Sequence, residues 1–401
     1  MTLTLLLDLD DTLLDTNLES FVPAYFQALS QHLQKFCSGG RVIRSLVAGM
    51  NAMNANEDPR RTLKTVFEDE FSAILGIRIE ALDEAFDDFL KRVFPGMAGL
   101  TKQIPEAIHF VEWAVTAGHH VAVATDPLFY REATEERLRW AGFDPDQFAL
   151  VSSADDFHFT KSHPAYFAEF LGRLGWEDGP VLMVGHDLNR DIVPAQRLGL
   201  KTFHVETGSA SDPGKDAAHG TLADLRAWIE SVDLSAFEPS FKSRDGILGI
   251  MASTPAVMDS ISASLTVDQW SREPAPGDWS MNEIACHLRD TEREVHALQL
   301  DLLIEKPDAF IPRPDSGVWA SERDYLSEDG HAALEGFAEA RIEILNRMKT
   351  LPETIWERKA RHAIFGPTDF LEIMSFVGDH DRLHLQQAWK TLQSLRVGAS
   401  I

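Results

Sequence analysis

Cysteine is almost missing from these 401 residues: only Cys37 and Cys286 occur. Two are too few for a disulfide framework, and the pair fits a reducing compartment. Long apolar runs are missing as well, so no stretch approaches the roughly 20 residues a membrane-spanning helix needs. The first basic side chain after the amino terminus is Lys35, which excludes the basic start of a signal peptide; the expected location is cytoplasmic. Positive charge is scarce, with Lys+Arg 37 against Asp+Glu 63 and a formal charge of -26. That balance repels phosphate backbones and anionic lipid, so neither nucleic acid nor a membrane is an expected partner. What is present is the 44% hydrophobic and 25% charged composition of a globular protein, in a chain long enough for two domains.

The most informative stretch is Leu3 to Leu14, an apolar run ending in Asp8-Leu9-Asp10-Asp11-Thr12. Such a run reads as a buried parallel strand, and its period of two puts Asp8 and Asp10 on one side of its carboxyl end. Open α/β sheets place their chemistry there. Two buried neighbouring carboxylates repel unless a cation lies between them or one keeps a proton, which suggests a metal-assisted site. Asn17 to about Pro95 then reads as helical. A βα rhythm follows: helix at Ile104 to Thr116, strand at His120 to Thr125, helix at Phe129 to Trp140 and strand at Phe148 to Ser152. It continues with helix at Pro164 to Leu174, strand at Val181 to Gly185, helix at Ala195 to Leu198 and strand at Thr202 to Val205. Alternation of this kind predicts α/β, a doubly wound parallel sheet, with the Asn17 to Pro95 segment inserted over its carboxyl edge.

Glu206 to Lys215 reads as a loop, Leu222 to Ser231 as a helix and 233–245 as a linker. Beyond it every strong pattern is helical: Ile247 to Leu265, Ser280 to Ile304, Gly330 to Thr350 and Thr368 to Leu395. Ser280 and Glu283 form a capping-box pattern, and four amphipathic helices predict an all-α four-helix bundle. No internal repeat or low-complexity tract interrupts the chain.

Further polar residues fall where strands end: Thr125, Lys161 before a helix, and Asp187 with Asp191 after Val181-Leu182-Met183-Val184-Gly185. With Asp8 and Asp10, this ordered set resembles the haloacid dehalogenase superfamily of phosphohydrolases over residues 1–232, with the helical insertion, about 16–96, resembling its cap. The resemblance implies that Asp8 attacks phosphorus to form an aspartyl phosphate. It implies Asp10 as general acid and then base, Thr125 as a donor to a phosphoryl oxygen, and Lys161 as a neutraliser of charge. Mg²⁺ would be held by Asp8, the Asp10 carbonyl and Asp187, with Asp191 supporting. Asp10 points to phosphate esters rather than carbon–halogen bonds. Three departures stand out: Asp126 where the family often has an amide, Ser162-His163-Pro164 after the lysine, and His186 where the acid usually follows the glycine directly, so that Asp187 is expected to serve by a one-residue adjustment.

His380-Asp381-Arg382-Leu383-His384 puts two imidazoles at i, i+4 on one helix face. His287, beside Ile284 and Leu288, offers a third ligand for an open site. Gly277-Asp278-Trp279-Ser280 leading to His287, and Gly366-Pro367-Thr368 leading to His380 and His384, resemble the DinB-like four-helix bundles over residues 246–395. That resemblance implies a divalent transition metal, Zn²⁺ or Ni²⁺, and in some members thiol-linked transfer. His296, His331 and His362 read as surface or boundary residues, and Trp319 and Tyr325 as ordinary packing. The leading expectation is a Mg²⁺-dependent phosphatase-like hydrolase acting on a small-molecule phosphate ester. The alternative is a three-histidine, thiol-linked transferase in the bundle behind a non-catalytic amino-terminal domain, and a homodimer is left open.

Overall fold

The computed structural model describes residues 1–206 and 218–398. The expected loop from Glu206 to Lys215 therefore lies, beyond Glu206, outside the described residues. The chain divides into two compact units. One comprises Met1–Glu57, Arg61–Phe167 and Asp178–Pro239; the other comprises Asp58–Arg60, Ala168–Glu177 and Ser240–Ile401. Among the described residues, no helix is long and apolar enough to cross a membrane.

The first unit is built on strands β1 (Thr4–Leu7), β2 (His120–Val123), β3 (Val181–Gly185), β4 (Lys201–Val205) and β5 (Ala218–Gly220). They pair in parallel in the order β2-β1-β3-β4-β5. The chain leaves β1 for β2 on one side and returns through β3 on the other, so a crevice opens at the carboxyl end of β1, where the strand order switches. The apolar strand residues explain the burial: Leu5, Leu6, Leu7, Val123, Leu182 and Val184 all have 4% exposure or less. Helices α5 (Pro105–Thr116) and α9 (Leu222–Ser231) pack on this sheet through Ala107, Phe110, Val111, Leu225 and Ile229. Phe237 is buried in the same core, so the first part of the expected linker is ordered packing, and the contact division falls after Pro239. The stretch Phe148 to Ser152 runs beside β2, with Val123 N–H donating to the Leu150 carbonyl at 2.8 Å, but reduces to one bridge at Val151 rather than a full strand.

Between β1 and α5 the chain forms α1 (Leu18–His32), α2 (Gly39–Ala55), α3 (Leu63–Leu75) and α4 (Asp83–Asp88). The Asn17 side chain accepts from Ser20 N–H and Thr62 from Thr65 N–H, satisfying amide donors that a helix start otherwise leaves unpaired. Apolar faces carrying Phe21, Leu29, Val42, Leu46, Phe67 and Phe71 close the cap's interior.

The second unit contains α10 (Arg244–Ser262), α11 (Met281–Thr291), α12 (Ala297–Glu305), α13 (Gly330–Lys349) and α14 (Phe370–Gly398). The Ser280–Glu283 capping box is present at the start of α11. The turn 292–296 joins α11 to α12 as one continuous rod, so four long helical elements make the bundle. A three-stranded sheet absent from the sequence reading adds to it: Ala309–Ile311 pairs in parallel with Lys359–His362, which makes a hairpin with Gly366–Asp369. Inside the bundle Arg341 is fully buried. Its Nε donates to Glu292 Oε1 at 2.6 Å and its Nη2 to Asp381 Oδ1 at 3.0 Å, while Thr254 donates to Asp381 at 2.9 Å.

Candidate functional site

Asp8 follows β1 directly, and its amide donates to the Val184 carbonyl at 2.9 Å, while Ala124 N–H donates to the Leu7 carbonyl at 2.8 Å. Neighbouring strands therefore fix the Asp8 backbone from both sides. The Asp8 carboxylate is 4% exposed and accepts from Lys161 Nζ at 2.6 Å, from Thr12 Oγ1 at 3.3 Å and from the His186 ring at 3.2 Å. Lys161 also pairs with Asp191. Burial alone would raise the Asp8 pKa, but the charge of Lys161, aided by His186, outweighs it and holds the group below the ordinary carboxylate value. Asp191 lies on the opposite side of this balance: burial, then the charge of Asp8, raises it. Gly185 permits the approach, because a Cβ there would sit 2.3 Å from the Asp191 carboxyl.

Asp10 takes a different partner. Its carboxylate pairs with Arg137, a buried guanidinium flanked by the rings of Phe129 at 4.9 Å and Phe21 at 5.4 Å. Burial raises the Asp10 pKa more than Arg137 lowers it. Thr125 follows β2 with its hydroxyl buried and, among the described residues, without a hydrogen-bond partner. A buried orphan donor of this kind needs an acceptor, such as a phosphoryl oxygen. Asp126 is neutralised: Oδ2 lies 2.8 Å from Arg190 and Oδ1 accepts from the Lys161 amide at 3.2 Å.

The structure departs from the expected ligand assignment after β3. Asp187 turns its Oδ1 to the amides of Asn189 at 2.7 Å and Arg190 at 3.2 Å, capping the following turn. His186 and Asp191 instead approach Asp8, and one ligand atom from each of the three lies within 4.8 Å of the others. This set, two carboxylates and an imidazole, fits a divalent cation. Its nitrogen suits Mn²⁺ or a similar borderline ion better than Mg²⁺, which prefers oxygen throughout.

In the second unit α11 supplies His287 and α14 supplies His380 and His384, the last two one turn apart. His287 Nε2 lies 3.1 Å from His380 Nε2, near the separation of two ligands on a tetrahedral metal with bonds of about 2.0–2.1 Å. The His384 ring lies 4.7 Å from that of His287 and 4.4 Å from that of His380. Burial, then the neighbouring imidazoles, lowers the pKa of His287 and brings His384 down to about 3, so both rings are neutral near neutral pH. His384 Nδ1 is oriented by Gln387 Oε1 at 2.8 Å, as ligating imidazoles commonly are. Trp279 stacks in parallel on His384 and tilts against His287 at 4.9 Å. Its place just before the capping serine was a usable sequence signal.

Two of the other histidines differ from the surface or boundary reading. His296 is buried with Nδ1 2.9 Å from Glu292 Oε2, and His362 is buried beneath Phe365. His331 is exposed, its ring tilted against that of Trp270 at 4.4 Å. Trp319 lies under Arg323, and the Tyr325 hydroxyl donates to Asp290 at 2.7 Å, so both are packing residues.

A buried carboxylate with its lysine lies at the switch point of a capped parallel sheet, and the bundle carries a separate three-histidine cluster. Residues 2–199 match the family model of the haloacid dehalogenase-like hydrolases and residues 251–388 that of the DinB superfamily. Glyceraldehyde 3-phosphate phosphatase from Methanocaldococcus jannaschii is 27% identical over 134 residues, 33% of this chain. The match spans 58% of that relative's length. A HAD phosphatase from Thermococcus onnurineus is 21% identical, with 57% of this chain and 98% of that one covered and a TM-score of 0.39. YfiT from Bacillus subtilis, described with an unusual four-helix bundle topology, is 18% identical, with 40% of this chain and 90% of that one covered and a TM-score of 0.35.

Proposed function

We propose that the amino-terminal domain hydrolyses a small phosphomonoester through an aspartyl phosphate on Asp8. The observation that carries this reading is the buried Asp8 carboxylate 2.6 Å from Lys161 Nζ, lining a cavity. An Asp8 oxygen bonds to phosphorus as the ester P–O bond breaks, and Asp10 gives its proton to the departing oxygen. Water then attacks the phosphorus, loses a proton to Asp10, and phosphate leaves with Asp8 restored. Lys161 offsets charge on Asp8 and on the phosphoryl group, and the Thr125 hydroxyl donates to a phosphoryl oxygen. A divalent cation held by Asp8, His186 and Asp191 would supply further positive charge to the phosphoryl group. The test is hydrolysis of 4-nitrophenyl phosphate with Mg²⁺ or Mn²⁺ by wild type and Asp8→Asn. Wild-type turnover that falls at least about a thousandfold in the variant, the scale of losing a catalytic nucleophile, supports the reading; equal rates defeat it.

A second reading concerns the bundle and rests on the neutral, convergent imidazoles of His287, His380 and His384. They would hold Zn²⁺ or Ni²⁺ with a coordination position left for a thiol or water, the chemistry of a thiol-linked transferase. Elemental analysis of purified protein tests it: stoichiometric metal supports the site, and none removes it.

A further inference from the structure

We infer that the ester cleaved at Asp8 carries an apolar body, an aromatic ring or a branched alkyl group with room for one polar substituent, rather than a sugar or polyol. The reaction rests on the hydrolase reading above; the polarity of the substrate rests on the cavity alone. That cavity has a volume of about 320 Å³, at the small end for small-molecule sites. Twelve of its twenty lining residues are apolar or aromatic, and the eight ionisable ones sit with Asp8 at the carboxyl edge of the sheet or in the segment that follows β3. Six of those groups pair with one another, Asp10 pairs with Arg137 and Asp187 accepts from backbone amides. The remaining wall is formed by Val22 and Phe26 of α1, Leu46, Met50 and Met53 of α2, and Phe129 of the sheet domain.

On that wall only two hydroxyls are present. Tyr130 donates its own to Glu68 at 3.2 Å. The Tyr25 hydroxyl has no hydrogen-bond partner among the described residues, while its ring is clamped edge-on by Phe129 at 5.3 Å, Phe89 at 5.6 Å and Phe94 at 5.9 Å. A hexose phosphate would bring several hydroxyls against this wall with a single fixed partner to meet them. Each one left unpaired lowers affinity by roughly ten- to a hundredfold. A ring, in contrast, gains edge-to-face contacts with the aromatic residues, and the unbranched methionines adapt to its outline.

Benzyl phosphate and glucose 6-phosphate are esters of primary alcohols, so comparing them separates recognition from leaving-group reactivity. We expect full-length protein to show kcat/KM at least about a hundredfold higher for benzyl phosphate, and benzylphosphonate to bind correspondingly tighter than glycerol 3-phosphate by calorimetry. Met50→Gln, at a half-buried cap position, should weaken benzylphosphonate about tenfold and leave inhibition by inorganic phosphate unchanged. A 4-hydroxymethyl group on the benzyl ring should gain affinity that Tyr25→Phe removes. Equal or better use of glucose 6-phosphate overturns the inference, as does benzylphosphonate that binds no tighter than glycerol 3-phosphate. Tight benzylphosphonate binding with no ester hydrolysed would instead defeat the hydrolase reading and support the cavity's apolar preference.

Discussion

Arg341→Met should destabilise the bundle more than any other single change of a charged residue there. The Arg341, Glu292 and Asp381 side chains are each fully buried, and the guanidinium reaches both oxygens of Glu292, at 2.6 and 2.8 Å. Methionine fills much of the volume but leaves two carboxylates in the interior without their cation. Removing one partner of a single buried pair costs about 3–5 kcal/mol, so a loss of about 4 kcal/mol or more is expected, on the order of 10 °C in Tm for a unit of this size. Hydrogen exchange followed by mass spectrometry on full-length protein isolates the effect, because peptides from α10 and α13 report the second unit alone. The pH dependence has a definite sign. Burial would raise Glu292 and Asp381, but Arg341 outweighs it and holds both below their ordinary values. Carboxyls depressed in the folded state stabilise it above their unfolded pKa of about 4, and that stabilisation is lost as pH falls toward their folded values. In the variant the carboxyls rise instead, so the gap between wild type and variant should be widest near neutrality and narrow below about pH 4. A difference under about 1 kcal/mol at pH 7, or a gap that widens on acidification, would refute the reasoning.

His186→Asp replaces the imidazole beside Asp8 with an oxygen donor and should shift the ratio of Mg²⁺ to Mn²⁺ affinity toward Mg²⁺ by about tenfold or more, read by competition with Mn²⁺ electron paramagnetic resonance. Asp126→Asn keeps the acceptor for the Lys161 amide but removes a negative charge and releases Arg190; KM for an aryl phosphate should fall about two- to tenfold, with kcat little changed, in steady-state assays. His380→Ala and His384→Ala should each release most of the bundle metal, measured by elemental analysis after dialysis, while circular dichroism stays that of the helical protein.

Much of this was legible in the sequence because strong apolar periods specify buried faces. The runs at Leu5 to Leu7 and Val181 to Gly185 could only be buried strands, and the helices from Ser280, Gly330 and Thr368 announced themselves through caps and stripes. Asp8, Lys161 and the three bundle histidines were legible because strand ends and i, i+4 spacing fix where such side chains emerge. That His186 rather than Asp187 turns toward Asp8 was not, since it depends on which way the backbone turns after Gly185. A cue was present: an aspartate ahead of a helical turn is a natural cap, and Asp187 serves its own amides. Arg137 carried no signal in the sequence, because nothing local shows that Phe21, Phe129 and Asp10 surround it. The strand Ala309–Ile311 is too short for a period to register, and Phe148 to Ser152 carried a strand's composition without a strand's full pairing.

The central claim is that Asp8 becomes covalently phosphorylated. Rapid acid quench of wild-type protein during turnover of a phosphate ester labelled with ³²P in its phosphoryl group, followed by peptide mapping, measures it most directly. Label on the peptide containing Asp8, lost in alkali and missing from Asp8→Asn, is the expected result. Steady turnover by wild type with no labelled peptide, or label retained in Asp8→Asn, would contradict it.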